Sequence, residues 1–191
     1  YPRSADKPLI VIPCCVDFRN LPTAPTVPTN GTARTIIYTG KLGGWYLTEA
    51  MVDFVAAARD YFPGLRWHVR TQSDPAALHR LLDARDLGPH VNVGFVPPES
   101  LPAELSKADF ALSLIKPCLS KVCSSPTKVG EYLAAGLPVV STAGIGDLDA
   151  LLTDAGGEFG APVGVLLAEC SNEAYRAALP QVLQLLDDPF T

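Results

Sequence analysis

The sequence predicts an α/β fold: a doubly wound parallel sheet of about six strands with helices on both faces. Three observations predict it. From Arg34 onward, short apolar runs alternate with segments of helical period, and strands joined by helical crossovers run parallel. The chain has 191 residues, 48% hydrophobic and 18% charged, which suits one domain with a sizeable core. Glycine-rich loops follow the first and fifth apolar runs, at the strand ends where an open parallel sheet holds its ligands.

The elements follow in order. Residues 1–33 are punctuated by Pro2, Pro8, Pro13, Pro22, Pro25 and Pro28, and Asn30-Gly31 is a turn signal. PLIVIP (8–13) is apolar enough for one short entry strand, and the rest reads as an extended interdomain linker. Residues 34–191 form the domain proper. Strands are expected at TIIYTG (35–40), RWHVRT (66–71), VNVGFV (91–96), FALSLI (110–115), PVVST (138–142) and GVLLA (164–168). Helices are expected near 46–61, 75–86, 99–107, 126–135, 147–155 and 172–187, the last kinked or split by Pro180.

Composition excludes several classes. A net charge of −5 argues against a broad nucleic-acid surface. No apolar run approaches the ~20 residues that span a bilayer, and no signal-peptide pattern opens the chain, so a cytoplasmic location is expected. The five cysteines form no CxxC pair and only three histidines are present, so no structural metal is expected and free thiols are the default. The chain opens on Tyr1 and its only methionine is Met51, which suggests a piece of a longer protein.

The stretch SSPTKVGEYLAAGLPVVSTAGIGD (124–147) holds an anomaly. Ser125 is expected as N-cap, Pro126 as N1 and Gly136 as C′, with Pro138 preventing continuation. Lys128 then falls at N3, where an acid would suit the helix dipole. An anion at the helix start removes the conflict, because free N–H groups, dipole and ammonium would all face one negative charge. The bland alternative is an exposed i, i+3 pair with Glu131. Glu131, one turn on, is suited to accept hydrogen bonds from ribose hydroxyls. Gly130 and Ala134 suggest a face packed closely on the sheet, with Val129 and Leu133 as core.

The loop TGKLGGWY (39–46) supplies Gly40, Gly43 and Gly44 for close backbone approach and Lys41 as a cation. It is neither GxGxxG nor GxxxxGK[ST], and no acid closes the second strand, which disfavours an NAD-type dinucleotide site. The loop AGIGD (143–147) offers Gly144, Gly146 and Asp147 to a ligand, or is simply a turn with Asp147 as the next N-cap. Asp149 is read as a first-turn acid, so DLD (147–149) is not taken as a metal pair.

SPTKVGEYLAAGLPVV resembles the nucleotide-sugar signature of GT-B glycosyltransferases, especially the retaining family-four type, P-x-K-x-x-E-Y-x-A-x-G-x-P-V-V. VIPCCVD (11–17), IIYTGKLGGWY, VNVGFVPPESLPAELSKADFALSLIKP and AGIGD are similar, in the same order, to other segments of that family. The resemblance implies a Rossmann-like nucleotide-sugar-binding domain, the donor half of a two-domain hexosyltransferase-type enzyme. It implies that Glu131 binds the donor ribose and that Ser125, Pro126 and Thr127 begin a helix whose amides face the diphosphate. It implies that Gly40 and Lys41 approach the phosphates, with Lys128 nearby, and that the 143–147 loop lies on the sugar side. The acceptor would be bound mainly by an N-terminal domain absent from this chain, and any peripheral membrane association would run through that half. The donor is a substrate, so no cofactor is expected.

Three departures stand out. Cys123 occupies the place of the first Glu of the family's E-x7-E. Tyr46 and Leu47 stand where a second basic residue is usual, which leaves Lys121 or Lys128 to compensate. Cys14 and Cys15 replace an Asn-Gly. No nucleophile or general base is evident: His68 and His79 read as structural or solvated, His90 as a loop residue, and no nucleophile-elbow sequence is present. A GT-B-fold sugar-nucleotide epimerase and a non-catalytic nucleotide-binding module remain open alternatives.

Overall fold

The computed structural model describes residue 10 and residues 12–17, 33–157 and 159–187. Most of the expected linker and half of the expected entry strand (residues 8, 9 and 11) lie outside these residues. Ile10, Ile12 and Pro13, which are described, form no strand.

Each of the six other expected strands forms: β1 (Thr35–Thr39), β2 (Arg66–Arg70), β3 (Val91–Gly94), β4 (Phe110–Ser113), β5 (Val139–Thr142) and β6 (Gly164–Leu167). They make one all-parallel sheet in the order β3-β2-β1-β4-β5-β6. Central β1 pairs Ile37 with His68 on one side and with Ala111 on the other.

Alternate residues of the strands point to opposite faces, and each face has its own helices. Ile36, Tyr38, Trp67, Val69, Phe110 and Leu112 pack under α1 (Thr48–Tyr61), α2 (Ala76–Asp83) and α6 (Asn172–Asp187). Ile37, Ala111 and Val139 pack under α3 (Leu101–Leu105), α4 (Thr127–Ala134) and α5 (Leu148–Leu152). These positions are buried throughout, as a sheet covered on both sides requires.

Some boundaries differ from expectation. The third helix breaks into a 3-10 turn, Pro98–Ser100, and the short α3. The fifth ends by Thr153 because Asp154 turns left-handed at φ +54° and Ala155 N–H closes back on the Ala150 carbonyl. The sixth is not split, since α6 runs through Pro180.

The sheet order reverses between β1 and β4, which opens a crevice at their carboxyl ends. Asp109 fixes the opposite end of the same pair. Its carboxylate accepts the Thr35 N–H at 2.7 Å and an Arg34 N–H at 3.2 Å.

Candidate functional site

The start of α4 departs from the expected capping. Pro126, not Ser125, is the residue before the helix, with extended φ −70° and ψ 108°, and no side chain caps it. Ser125 is spent elsewhere: its hydroxyl accepts the Cys14 N–H at 3.1 Å and donates to Asp147 Oδ2 at 3.3 Å. The helix therefore opens at Thr127, and Lys128 is its second residue rather than its third. The far end is as expected, with Gly136 at φ +75° and its N–H and that of Leu137 closing on Leu133 and Tyr132.

The packing of α4 also corrects the sequence reading. Val129 and Tyr132 are its buried residues, whereas Leu133 is half-buried. Gly130 does not lie on the sheet, because a Cβ there would stand 2.7 Å from Val16 Cγ2. Tyr132 ties α4 to β1. Its phenol oxygen accepts the Thr39 N–H at 2.8 Å and shares a 2.9 Å hydrogen bond with Thr39 Oγ1.

That tie places Lys128 and Glu131 opposite the loop leaving β1. The Lys128 ammonium lies 4.0 Å from the Tyr46 ring centre, 4.4 Å from the Tyr38 ring centre and 3.4 Å from the Tyr38 hydroxyl. A Cβ on Gly40 would come within 2.6 Å of Lys128 Nζ. Among the described residues no ion pair within 4.0 Å joins Lys128 to Glu131, so the bland pairing is not what holds this lysine. Burial pushes the Lys128 amine down to about 7, partly opposed by the Glu131 charge. Burial also pushes the Glu131 carboxyl up, with Lys128 pulling it down.

Gly40, Lys41, Lys128 and Glu131 together line one cavity of about 340 Å³. Its other walls come from the ends of β2 and β3: Arg70, Thr71 and Gln72, then Phe95, Val96 and Pro98, with Leu101 below. The sequence reading missed all of these, although both stretches follow strand ends by the rule that singled out the β1 loop. Arg70 is engaged, with its Nε 2.6 Å from Glu104 Oε2. Phe95, which lines the cavity, is 60% exposed. None of the three histidines lines it.

The other expected site residues fall around this cavity. Thr127 lines a smaller neighbouring cavity with Glu131, Val16 and Asp17. The amides of the β1 loop are largely committed: Gly40 N–H bonds the Arg70 carbonyl, Leu42 N–H bonds Ser73 Oγ and Gly43 N–H bonds Thr48 Oγ1. Gly43 and Gly44, both at positive φ, shape the turn and do not line the cavity. Lys121 lies 5.3 Å over the Trp45 ring.

The 143–147 loop packs against the α4 entry. A Cβ on Gly146 would fall 1.6 Å from the Ser124 carbonyl oxygen, and its φ is +52°. Asp147 precedes α5 but makes no cap, since it holds Ser125. Asp149 is instead the loop's anchor, and both its oxygens accept the Gly144 N–H, at 2.9 and 3.1 Å. Among the described residues no three His, Cys, Asp or Glu side chains gather into a metal-ligand set.

No protein-family model and no curated protein matches the chain. Solved structures match it in fold. S. aureus TarM, as a point mutant in complex with fondaparinux, α-GlcNAc-glycerol and UDP, superposes with a TM-score of 0.66 at 12% identity, over 92% of this chain and 33% of that one. WaaG, a glycosyltransferase of lipopolysaccharide biosynthesis, gives 0.61 at 16% identity over 79% of this chain and 38% of its own. The catalytic domain of the Helicobacter pylori cholesterol-α-glucosyltransferase gives 0.61 at 15% identity over 81% and 89%. The chain thus spans about a third of TarM and 38% of WaaG. It has the Rossmann-like fold found in GT-B glycosyltransferases, as its resemblance to the C-terminal domain of that class implied.

Proposed function

We propose that this chain is the donor-binding half of a glycosyltransferase, which transfers a sugar from a nucleoside-diphosphate sugar to an acceptor with retention of configuration. The observation that carries the reading is the meeting of Lys41, Lys128 and Glu131 around one cavity at the carboxyl edge of the sheet, beside β1 where the strand order reverses. The likeness in fold to glycosyltransferases supports it, one of them in complex with UDP.

In this reading Glu131 accepts hydrogen bonds from the ribose. The nucleobase lies toward Phe95, Val96, Pro98 and Leu101. The diphosphate faces Lys41, Lys128 and the uncapped first turn of α4 at Thr127. Tyr46 stands where a second basic residue was expected, and Lys128, seated on its ring, supplies that charge from another element. Ser125 stays on the diphosphate side with Thr127, and Asp147 and the Gly144–Gly146 loop lie toward the transferred sugar. The chain's part in the chemistry is electrostatic: cations and amides aimed at the leaving diphosphate stabilise the negative charge that develops on it. A second half completes the cleft, binds the acceptor and excludes water. The five unpaired cysteines support a reducing, cytoplasmic setting.

The test is calorimetry of the chain with UDP, GDP and ADP. One of them should bind, and Glu131→Gln should weaken it about 10- to 150-fold, the loss of a charged hydrogen bond, without unfolding the domain. Unchanged affinity would remove Glu131 from the site. In the full enzyme, NMR of the product's anomeric proton reads the stereochemistry.

A further inference from the structure

We propose that Tyr38 and Tyr46 are positioning residues that hold the Lys128 amine across Gly40, where it takes up a proton together with the donor's diphosphate. This deepens the nucleotide-binding reading above and rests on it. The two rings form a box around Nζ, at 4.4 and 4.0 Å, and Gly40 closes it by having no side chain. Ring faces attract an ammonium, but they do not replace the water it loses on burial as an anion does.

The charges around the box explain why it waits for an anion. From β1 and α4, Tyr38 and Tyr132 are buried phenols pushed further from ionisation. Tyr46 comes from the β1 loop. Lys41 and Arg70, on the same cavity, are cations, and Arg70 already holds Glu104. Of the charged groups only Glu131 favours the ammonium, and no ion pair within 4.0 Å joins the two. Among the described residues no carboxylate pairs with the amine, and burial pushes it down to about 7. A diphosphate supplies a negative charge. On binding, Nζ–H2 gains one proton from solvent and becomes Nζ–H3, with no other bond made or broken.

The experiment follows the lysine ε-carbon resonances by ¹H–¹³C NMR from pH 6 to 11, with Lys128→Met assigning the signal. In the free chain the Lys128 signal should titrate near neutrality, apart from the other lysines. Saturating nucleotide, with UDP, GDP and ADP tried in turn, should raise that midpoint by a pH unit or more, and inorganic pyrophosphate should do the same. The matching nucleoside should not. Tyr46→Leu should weaken nucleotide binding about 3- to 30-fold and Tyr46→Phe should restore it, because the ring and not the hydroxyl is what faces the amine. If Lys128 titrates with the other lysines in the free chain while nucleotide binds, the proposal is overturned and the nucleotide reading stands. A midpoint that nucleotide does not move, or a Tyr46→Leu variant that binds as wild type, also overturns it. If pyrophosphate raises the midpoint and no nucleotide binds, the box stands as an anion site and the nucleotide reading fails.

Discussion

Lys128 carries a stability signature that needs no ligand. Its folded amine lies near 7, pushed there by burial, whereas an unfolded lysine holds its proton to about 10.4. Between those values the unfolded chain binds more protons, so stability rises with pH and is lost as pH falls toward 7. The slope is at most about 1.4 kcal/mol per pH unit. Lys128→Met should flatten it. Melting curves of both proteins at pH 7, 8 and 9 measure this, and parallel trends would mark Lys128 as an ordinary surface lysine. Gly146 gives a second prediction at this scale. Any Cβ there collides with the Ser124 carbonyl and must also take a positive φ. Gly146→Ala should cost at least about 1–3 kcal/mol in urea denaturation. A loss within about 0.5 kcal/mol would mean that the loop shifts aside freely.

Among the elements, β1 and α4 matter most to the site, and Tyr132 joins them. Tyr132→Phe keeps the packing but leaves the buried Thr39 N–H without its acceptor. The expected loss is about 1–3 kcal/mol of stability, together with weaker nucleotide binding as Lys128 and Glu131 lose their register with Lys41. Urea denaturation and calorimetry read the two effects separately. Stability lost with affinity intact would show that α4 holds its place without the phenol. The elements also show what was legible. Six apolar runs became six strands because strand and helix periods are local properties of the chain. The end of α4 was equally legible, since a Gly followed by Leu-Pro determines its own turn. The start of α4 was not. Ser125 caps nothing because Asp147 and Cys14, distant in sequence, compete successfully for its hydroxyl.

For the molecule as a whole, the proposed nucleotide contacts all lie within this one domain. We expect the chain to bind its nucleoside diphosphate without a second half, more tightly as salt falls, because lysine–phosphate attraction is screened over about 10 Å at 0.1 M. We also expect binding to persist in excess chelator and no sugar to be transferred by the chain alone. Calorimetry at low and high salt, with and without chelator, and a transfer assay with the nucleotide sugar test these together. Loss of binding in chelator, with the protein still folded, would overturn the metal-free site.

By itself the sequence determined the strand–helix alternation, the glycine turns and the residue types at the ends of β1 and α4. These depend on periodicity, on backbone conformations available to glycine, and on chemistry carried by single side chains. Only the tertiary structure decided which of them meet. It seated Lys128 between two tyrosines rather than beside Glu131, drew Arg70 to Glu104, and brought Phe95 to the cavity wall. Those outcomes depend on the register of neighbouring strands and on the competition for each buried polar group. Both are settled between segments far apart in the chain, so neither can be read from any one of them.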